Sequence, residues 1–384
     1  MKKKRICIVT ANRAEYSRVK TVLEAISKNQ KLEYILIVIG SHLLRKYGNT
    51  YREIERDGFT IHERIYNTIE GENPVTMAKS AGFAIIELAT LLDSYKPDFV
   101  VVLTDRYETL SAAVTAAFLN IPVAHIQGGE VTGTIDESIR HAVTKFAHVH
   151  FAASEASRQR IIKLGETPEF VFNVGCPATD LLLRAKILRQ KEVLTNEEIK
   201  NPHIKANDPF IVVLQHPVTT EFGEGYSQIE ETLYAIKDFG MQTIMLWPNV
   251  DAGSEHIVTA IRRFLEEYRL RNIFMYRHIT NSLFIQLLYH CKCLIGNSSS
   301  GIRESCYFGT PVVNIGTRQH GRERGKNVVD VGYGRHLILK AIKKQVSHGR
   351  YPRENVFGKG DAGRKIADIL STINGIKVQK IITY

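Results

Sequence analysis

The sequence lacks several features that would narrow its function at once. Its five cysteines form no CxxC pair and no recognisable disulfide framework. No apolar run approaches the roughly 18 residues that a membrane-spanning helix requires. The turn after the first strand-like segment, TANRAEYS, has no GxGxxG fingerprint, so neither a dinucleotide site nor a nicotinamide cofactor is indicated. These absences favour a protein of the reducing cytoplasm with no membrane partner and no cofactor.

The charge balance favours an anionic ligand. The chain of 384 residues has 51 basic and 40 acidic side chains, which gives a net charge of +11. Such a chain attracts anions, nucleic acid among them. Its basic residues are nevertheless scattered, without the tract of basic and aromatic side chains that a nucleic-acid surface requires. We therefore expect a phosphorylated small molecule as the ligand and no nucleic-acid partner.

Short β-branched runs alternate with longer amphipathic segments along the whole chain. Continuous apolar character is typical of strands buried on both faces of a parallel sheet. The first half contains six such runs, at 5–11, 33–40, 98–105, 122–129, 148–154 and 169–175. Six more follow, in PFIVVLQHP, QTIMLWP, NIFMYRH, CLIGNS, PVVNIG and NVVDVG. The pattern predicts an α/β protein with two Rossmann-like, doubly wound parallel sheets that face a cleft.

The two series of strands define the expected domains. We expect a first domain over residues 1–178 and a second over 179–360, with a helix in 361–384 that can return to the first domain. Ligands of open α/β sheets bind outside the carboxyl ends of the strands. The residues that follow each strand are therefore the candidates for chemistry.

The densest polar stretch is GNSSSGIRESCYFGTPVVNIGTRQ, residues 296–319. Its serines, Ser298 to Ser300, are expected to begin a helix that Gly309 ends. Hydroxyl groups and free N–H groups at a helix start bind phosphate, and Arg318 can add a forked, charge-assisted bond. Serine is also a common helix cap, so capping and phosphate binding remain equally open for these residues.

Two strand ends of the first half carry arginines. Arg13 and Ser17 follow the first strand, and Asp105 and Arg106 follow VVVLT. A carboxylate at a strand end is a candidate general base, and an arginine beside it either orients the carboxylate or binds phosphate. Salt bridges without a catalytic role are the alternative at both places.

The segment HIQGGEVTGTIDESIRH, residues 125–141, is the second dense stretch. Thr134 and Glu137 fit a capping box, so Glu137 is interpreted as structural. The groups available for acid–base chemistry in this segment are His125, Glu130, Asp136 and His141.

The second half adds two polar residues at strand ends. His216 ends the strand of QHPVTT, and Asn249 follows the next strand. A single histidine in such a place is more often a hydrogen-bonded structural residue than a catalyst. Asn249 can recognise an amide or hydroxyl group.

Together these motifs resemble those of the hydrolysing UDP-N-acetylglucosamine 2-epimerases of the sialic-acid pathway, in bacteria and in the epimerase half of the animal bifunctional enzyme. The resemblance implies two domains in the GT-B arrangement, release of UDP, and formation of N-acetylmannosamine without a metal or redox cofactor. It also implies a homodimer or homotetramer. The matching runs, in the same order, are NRAEYS, GSHL with YGNTYREIE, TDRYE, HIQGGEVTGTIDESIRHAVTK, QHPVTT, PNVDAGS, GNSSSGIRE and GTRQHGRERGKNV.

The resemblance also implies the site residues. Gln127 departs from the pattern, because the animal relative has glutamate there, and an amide cannot transfer a proton. The implied acid–base set is Asp105, Glu130, Asp136 and His216. The implied nucleotide site consists of Arg13, Ser17, Arg106, Asn249, Ser298, Ser299, Glu304 and Arg318.

Three alternative functions stay open. The same reaction on a UDP-2,4-diacetamido-trideoxyhexose or a GDP-linked sugar would use the same residues. A GT-B glycosyltransferase would share the phosphate-binding residues but would need an acceptor. A nucleotide-sugar sensor would bind its ligand without turnover.

Overall fold

The structure, a computed structural model, describes residues 2–249 and 251–383 as two compact units. Unit 1 contains the chain up to residue 130, residues 135–183 and the chain from residue 357 onwards. Unit 2 contains residues 131–134 and 184–356. Each unit is built on a parallel sheet, as predicted.

The sheet of unit 1 has seven parallel strands in the order β3-β2-β1-β4-β5-β6-β7. Six coincide with predicted runs. The sequence analysis misses β3, because it has three residues of which one is buried, so it lacks an apolar run. The strands are β1 (Lys4–Thr10), β2 (Leu32–Ile39), β3 (Glu63–Ile65), β4 (Phe99–Leu103), β5 (Val123–Ile126), β6 (Val149–Ala152) and β7 (Val171–Asn173).

Helices cover both faces of this sheet. Successive residues of β1 point to opposite faces, so Ile6 and Ile8 pack with α1 while Cys7 and Val9 pack with α3 and α4. The helices in this part of the chain are α1 (Arg13–Lys28), α2 (Tyr51–Arg56), α3 (Pro74–Tyr95), α4 (Tyr107–Phe118), α5 (Asp136–Phe146), α6 (Glu155–Lys163) and α7 (Pro177–Arg184).

Unit 2 repeats the architecture with six parallel strands in the order β10-β9-β8-β11-β12-β13. All six coincide with predicted runs. The strands are β8 (Phe210–Leu214), β9 (Gln242–Leu246), β10 (Ile273–Tyr276), β11 (Leu294–Gly296), β12 (Val312–Ile315) and β13 (Val328–Val331). The helices are α8 (Gln190–Leu194), α9 (Gly225–Phe239), α10 (Ser254–Tyr268), α11 (Asn281–His290), α12 (Glu304–Phe308) and α13 (Arg335–His348).

The strand orders place one topological switch point in each sheet. In unit 1 the winding reverses between β1 and β4, and in unit 2 it reverses between β8 and β11. The loops that leave two such strands turn to opposite faces, which opens a crevice at their carboxyl ends. The predicted residues that follow these strands are Arg13, Ser17, Asp105 and Arg106 in unit 1, and His216, Ser298 and Ser299 in unit 2.

Helix α3 corrects one expectation from the sequence. It has 22 residues and is long and apolar enough, by length and composition alone, to cross a membrane. In the fold this helix covers one face of the sheet of unit 1, where Ala84, Leu88 and Leu92 are buried. Its other face carries exposed apolar side chains, including Phe83 and Ile86.

The chain ends in unit 1 with α14 (Ala362–Thr372), which packs against α1. Beyond it, Lys380 donates to the main-chain oxygens of Lys145 at 2.9 Å and of Ala147, at the carboxyl end of α5. The same ammonium group pairs with the buried Glu166 carboxylate at 2.6 Å. This tail therefore stabilises the helix that carries several candidate residues at its other end.

Candidate active site

The buried guanidinium group of Arg140 organises the carboxyl edge of unit 1. Arg140 lies on α5 with no exposed side-chain surface, and it forms an ion pair with Asp105 beyond β4. It also donates to Glu137 Oε2 at 2.6 Å and to the main-chain oxygen of Glu130 at 2.9 Å. Burial alone would lower the pKa of Arg140, but the Asp105 and Glu130 carboxylates raise it. One cation thus orients residues from three separate segments.

The capping box expected at the start of α5 is wrong. The helix begins at Asp136 with Ile135 as its N-cap, and no side chain caps it. Glu137 instead binds Arg140 and, at 2.9 Å, the Nε2 atom of His141. Glu137 thus forms an ion pair with Arg140 in place of the expected capping contact. Asp136 is the first residue of the helix, where the helix dipole favours a charged carboxylate.

Two residues at this edge have backbone conformations that are rare outside glycine. Thr104 has φ +58° after β4, and Gln127 has φ +65° after β5. Each costs roughly 1–3 kcal/mol, and such strain is commonly found at functional sites. His125 Nε2 lies 2.7 Å from the Thr104 oxygen and donates to it. The strained turn at Thr104 therefore has direct support, and it sets the direction of Asp105.

His125 does not suit the acid–base chemistry for which the sequence analysis lists it. The ring is fully buried on β5, and burial lowers its pKa to about 3. It is neutral at physiological pH, and its Nε2 proton is used by the Thr104 carbonyl. His125 is consequently a support for the loop rather than a proton carrier.

A pair of buried carboxyl groups lies at the switch point between β1 and β4. Glu15 of α1 accepts a hydrogen bond from the Ala11 N–H at 2.7 Å. Glu108 of α4 accepts from Arg106 Nε at 3.1 Å. Burial, and next the Glu108 carboxylate, raise the pKa of Glu15 to about 8, against the opposing effect of Arg106. Arg106 thus forms a salt bridge with a carboxylate of the following helix, which is one of the alternatives that the sequence leaves open.

The remaining predicted residues of this edge lie at the start of α1. Arg13 is its first residue, and Asn12 caps it by accepting from the Glu15 N–H at 3.0 Å. Ser17 is nearly buried and donates its hydroxyl to the Ala14 oxygen at 2.7 Å. Arg13 and Ser17 therefore follow β1 as expected, at the same switch point as Asp105 and Arg106.

In unit 2, His216 follows β8 at the switch point and is nearly buried. The Asn249 N–H donates to its Nδ1 atom at 2.9 Å. Because Nδ1 accepts this bond, the ring proton of the neutral imidazole is on Nε2. His216 is thus a hydrogen-bond donor through Nε2.

The serine loop follows β11 on the other side of the same switch point. Ser298 Oγ accepts from the Ser300 N–H at 3.3 Å, so it caps the short 3₁₀ turn Ser299–Gly301. The helix expected to begin at these serines begins instead at Glu304, and it has five residues (α12). The dipole of so short a helix contributes little. Gly309 ends the helix in the left-handed conformation, as predicted.

Two further predicted residues border this loop. Arg318 follows β12, donates to the Asn297 oxygen at 3.2 Å, and lies 3.9 Å from an oxygen of Asp251. Glu304 has one carboxylate oxygen that is buried and has no hydrogen-bond partner among the described residues. An unpaired buried acceptor of this kind suits a hydroxyl donor from a ligand.

Comparison with known proteins identifies the family. Residues 24–371 match the family model described as UDP-N-acetylglucosamine 2-epimerase. The chain belongs to this family.

Individual epimerases are similar over nearly the whole chain. The UDP-N,N'-diacetylbacillosamine 2-epimerase (hydrolyzing) of Legionella pneumophila is 35% identical over 370 residues, which cover 96% of either chain. The UDP-N-acetylglucosamine 2-epimerase of Neisseria meningitidis is 32% identical over 371 residues, which cover 97% of this chain and 95% of the relative.

A solved epimerase structure shares the fold. It is the UDP-GlcNAc 2-epimerase from Neisseria meningitidis bound to UDP-GlcNAc, with a TM-score of 0.79, 19% sequence identity, and coverage of 95% of this chain and 99% of that chain. The fold is of the GT-B type, as the sequence analysis predicts.

The sequence analysis misses two residues of this epimerase: Arg140, which binds the loop after β5 in unit 1, and Asn297, whose side chain pairs with the main chain of His216 in unit 2. The helical spacing could have indicated Arg140, because it lies on the same helix face as the buried Val143 and Thr144. A charged residue on an apolar face is expected to have buried partners. Asn297 carries no such signal, because a polar residue beside serines reads as an ordinary loop.

The buried Glu15 predicts a specific dependence of stability on pH. A carboxyl group whose folded pKa is about 8 keeps its proton in the native state while the unfolded state loses it above about pH 4.3. Stability is therefore lost as pH rises toward 8. Glu15→Gln removes this loss, so its unfolding free energy relative to wild type should rise by about 3 kcal/mol between about pH 5.5 and pH 8.

Urea denaturation of both proteins at the two pH values measures this difference. Glu266→Gln, at an exposed position on α10, is the control and should show no such change with pH. If Glu15→Gln is destabilised relative to wild type by the same amount at both pH values, the prediction that the buried Glu15 carboxyl keeps its proton is contradicted.

Proposed function

We propose that the protein is a hydrolysing 2-epimerase that converts UDP-N-acetylglucosamine and water into N-acetylmannosamine and UDP, the first step of sialic-acid biosynthesis. The observation that carries the proposal is the convergence at both switch points. In a chain of this family, Arg13 and Asp105 follow the two strands of one switch point, and His216 and Ser298 follow the two strands of the other. The five free cysteines suit a cytoplasmic location.

The residues of unit 2 suit the nucleotide end of the substrate. Arg318 supplies a cation that is mostly buried, and the Ser298 and Ser299 loop supplies hydroxyl and N–H groups for the diphosphate. Asn249 adds an amide, and Glu304 offers its unpaired oxygen to the ribose hydroxyls. We assign Arg13, Ser17 and Arg106 of unit 1 to substrate binding as well.

The carboxylates of unit 1 suit the two proton transfers at C2. A base removes the C2 proton while UDP leaves from C1, which gives a 2-acetamidoglucal. Water then adds at C1, and a second group returns a proton to the other face of C2. We assign these steps to Asp105 and Asp136, with Glu130 as the third carboxylate of the set.

The tautomer of His216 suggests its part in the reaction. An imidazole that carries its proton on Nε2 can donate to the phosphate oxygen on which charge develops as UDP leaves. It is poorly suited to remove the C2 proton through the same nitrogen. We therefore assign His216 to the leaving group, beside Arg318.

Incubation with UDP-N-acetylglucosamine in deuterated water tests the proposal. We expect UDP and free N-acetylmannosamine with deuterium at C2. A product that remains linked to UDP would show epimerisation without hydrolysis. Transfer of the sugar to an acceptor without deuterium at C2 would indicate a glycosyltransferase, and binding without turnover would indicate a sensor.

A second substrate is favoured by one relative. The Legionella pneumophila protein that is 35% identical is named a UDP-N,N'-diacetylbacillosamine 2-epimerase. Gln127 has a buried amide oxygen without a hydrogen-bond partner among the described residues, while its Nε2 donates to Cys176 Sγ at 3.0 Å. This unpaired amide oxygen can accept a hydrogen bond from the additional N–H group of a diacetamido sugar. The ratio of kcat/KM for the mono- and diacetamido UDP-sugars decides between them.

Substitution of the proposed acids tests the mechanism. Asp105→Asn and Asp136→Asn should each lower kcat by about 10²–10⁴-fold, because proton transfer in the transition state is lost. UDP affinity, measured by calorimetry, should stay within a few-fold of wild type.

Glu137→Gln is the matched control, because Glu137 shares Arg140 with Asp105 but is assigned no proton transfer. It should retain most of the activity. Equal losses in Asp105→Asn and Glu137→Gln would mean that both act only by positioning Arg140, and a fully active Asp105→Asn variant would remove Asp105 from the mechanism.

We also infer a homodimer through the outer face of α3. Phe83 is 49% exposed and Ile86 63% exposed on this helix, and Phe118 at the end of α4 is also exposed. Exposed apolar clusters of this kind mark interfaces between proteins. A second copy suits the face because α3 is apolar along its length, and an apolar helix face is self-complementary across a two-fold axis.

Sedimentation velocity tests the dimer. Wild type should sediment as two copies, and the double variant Phe83→Glu and Ile86→Glu should sediment as one. Leu337→Glu on α13, where Leu337 is 57% exposed, is the control and should leave the mass unchanged. A monomeric wild type, or a double variant of unchanged mass, contradicts this interface, and a mass of four copies would require a second one.

A further inference from the structure

Asn297 follows β11 and is fully buried at the carboxyl edge of unit 2. Its side chain pairs with both main-chain groups of His216. The His216 N–H donates to Asn297 Oδ1 at 2.7 Å, and Asn297 Nδ2 donates to the His216 oxygen at 2.9 Å. Its own N–H donates to the Leu214 oxygen at 3.2 Å. The amide thus continues the pairing of β8 and β11 one step past the end of both strands.

The carbonyl group of Asn297 has a second set of partners. It accepts from Gln319 Nε2 at 2.9 Å and from Arg318 Nη1 at 3.2 Å. Gln319 is itself buried and accepts from Arg322 Nη1 at 2.7 Å. One residue therefore joins the loops that follow β8, β11 and β12, and every polar group it has is in use.

We propose that Asn297 is the positioning residue of the nucleotide end of the site. Its side chain sets the backbone of His216, and its carbonyl sets the guanidinium of Arg318. This inference rests on the roles proposed above for those two residues. Asn297 itself has no assigned contact with substrate.

The chemistry of the contacts requires an amide at this position. A side chain that faces one N–H and one C=O must accept and donate at once. Aspartate would place a carboxylate oxygen against the His216 carbonyl, and an aliphatic side chain would leave both main-chain groups buried and unpaired. Serine keeps one small polar group that cannot span both partners. Of these side chains, only the amide can pair with the N–H and the C=O of His216 at once.

The direction of the imidazole follows from this support. The main chain of His216 is held by Asn297, and the ring is held at Nδ1 by the Asn249 N–H. If the main chain shifts, the Nδ1 bond weakens and the ring no longer has a single tautomer. The tautomer of His216 therefore reports whether Asn297 holds the His216 main chain in place, and it can be measured without an activity assay.

The experiment compares Asn297→Asp and Asn297→Ser with wild type. Gln345→Glu and Gln345→Ser are the matched controls. Gln345 is also a fully buried amide of unit 2, and it donates to Val312 and Asn327 oxygens at 2.8 Å at the opposite edge of the sheet. Nitrogen NMR of histidine-labelled protein reports the His216 tautomer, with His216→Gln for assignment. Calorimetry reports UDP affinity, and thermal unfolding reports stability.

We expect wild type to show the Nε2–H tautomer and the Asn297 variants to show a mixture. UDP affinity should fall about tenfold and kcat about 100-fold, because a small misplacement of reacting groups has costs of this size. The Gln345 variants should lose thermal stability to a similar extent while keeping the tautomer and the UDP affinity of wild type.

Each outcome bears on the proposal. A wild-type tautomer together with wild-type UDP affinity in Asn297→Ser overturns it, and so does an equal change in the Gln345 variants. If the Asn297 variants do not fold, hydrogen exchange of the wild-type His216 amide decides, since rapid exchange would show that Asn297 does not hold it. If wild type binds no UDP, the proposed function fails, while the imidazole spectrum still tests the positioning of His216.

Discussion

The structure depends above all on where its parallel sheets reverse their winding. All strands of a sheet end at the same edge, and the crossovers from β1 and from β4 leave toward opposite faces. No helix can cover the carboxyl ends of both strands. Polar residues that are far apart in sequence, such as Arg13 and Asp105, are thereby brought to one crevice without any contact having to draw them together. The same constraint acts on His216 and Ser298 between β8 and β11.

The two edges are then held by different chemistry. In unit 1 the support is a buried cation, Arg140, which has to be paired because an unpaired buried charge is far more costly than a paired one. Its partners are consequently carboxylates, and the edge becomes rich in acid. In unit 2 the support is the neutral amide of Asn297, which binds main-chain groups and introduces no charge. The cation of that edge, Arg318, donates to the Asn297 carbonyl and lies 3.9 Å from an Asp251 oxygen.

What the sequence predicts and what it misses have a common explanation. Strands buried on both faces produce continuous apolar runs, so twelve strands are visible, whereas β3 buries one side chain and is not. The positions of candidate residues after strands follow from the same pattern. Thr104 and Gln127 adopt left-handed conformations that neither residue prefers, and only tertiary contacts such as the His125 bond can impose them. The failed capping box at Thr134 shows the same limit of local sequence.

The hydrogen bonds of the two histidines at strand ends give them different roles. His125 donates a hydrogen bond from Nε2 to the Thr104 main-chain oxygen, and burial keeps the ring neutral. This histidine therefore stabilises the fold. His216 accepts at Nδ1 and therefore has its proton on Nε2 as a donor. In the proposed mechanism such a neutral donor stabilises the negative charge that develops on the leaving group, and it cannot accept a proton through that nitrogen. The proposed mechanism therefore assigns the removal of the carbon-bound proton to the carboxylates of unit 1, where Asp105 is held by Arg140 and Asp136 lies at the start of α5.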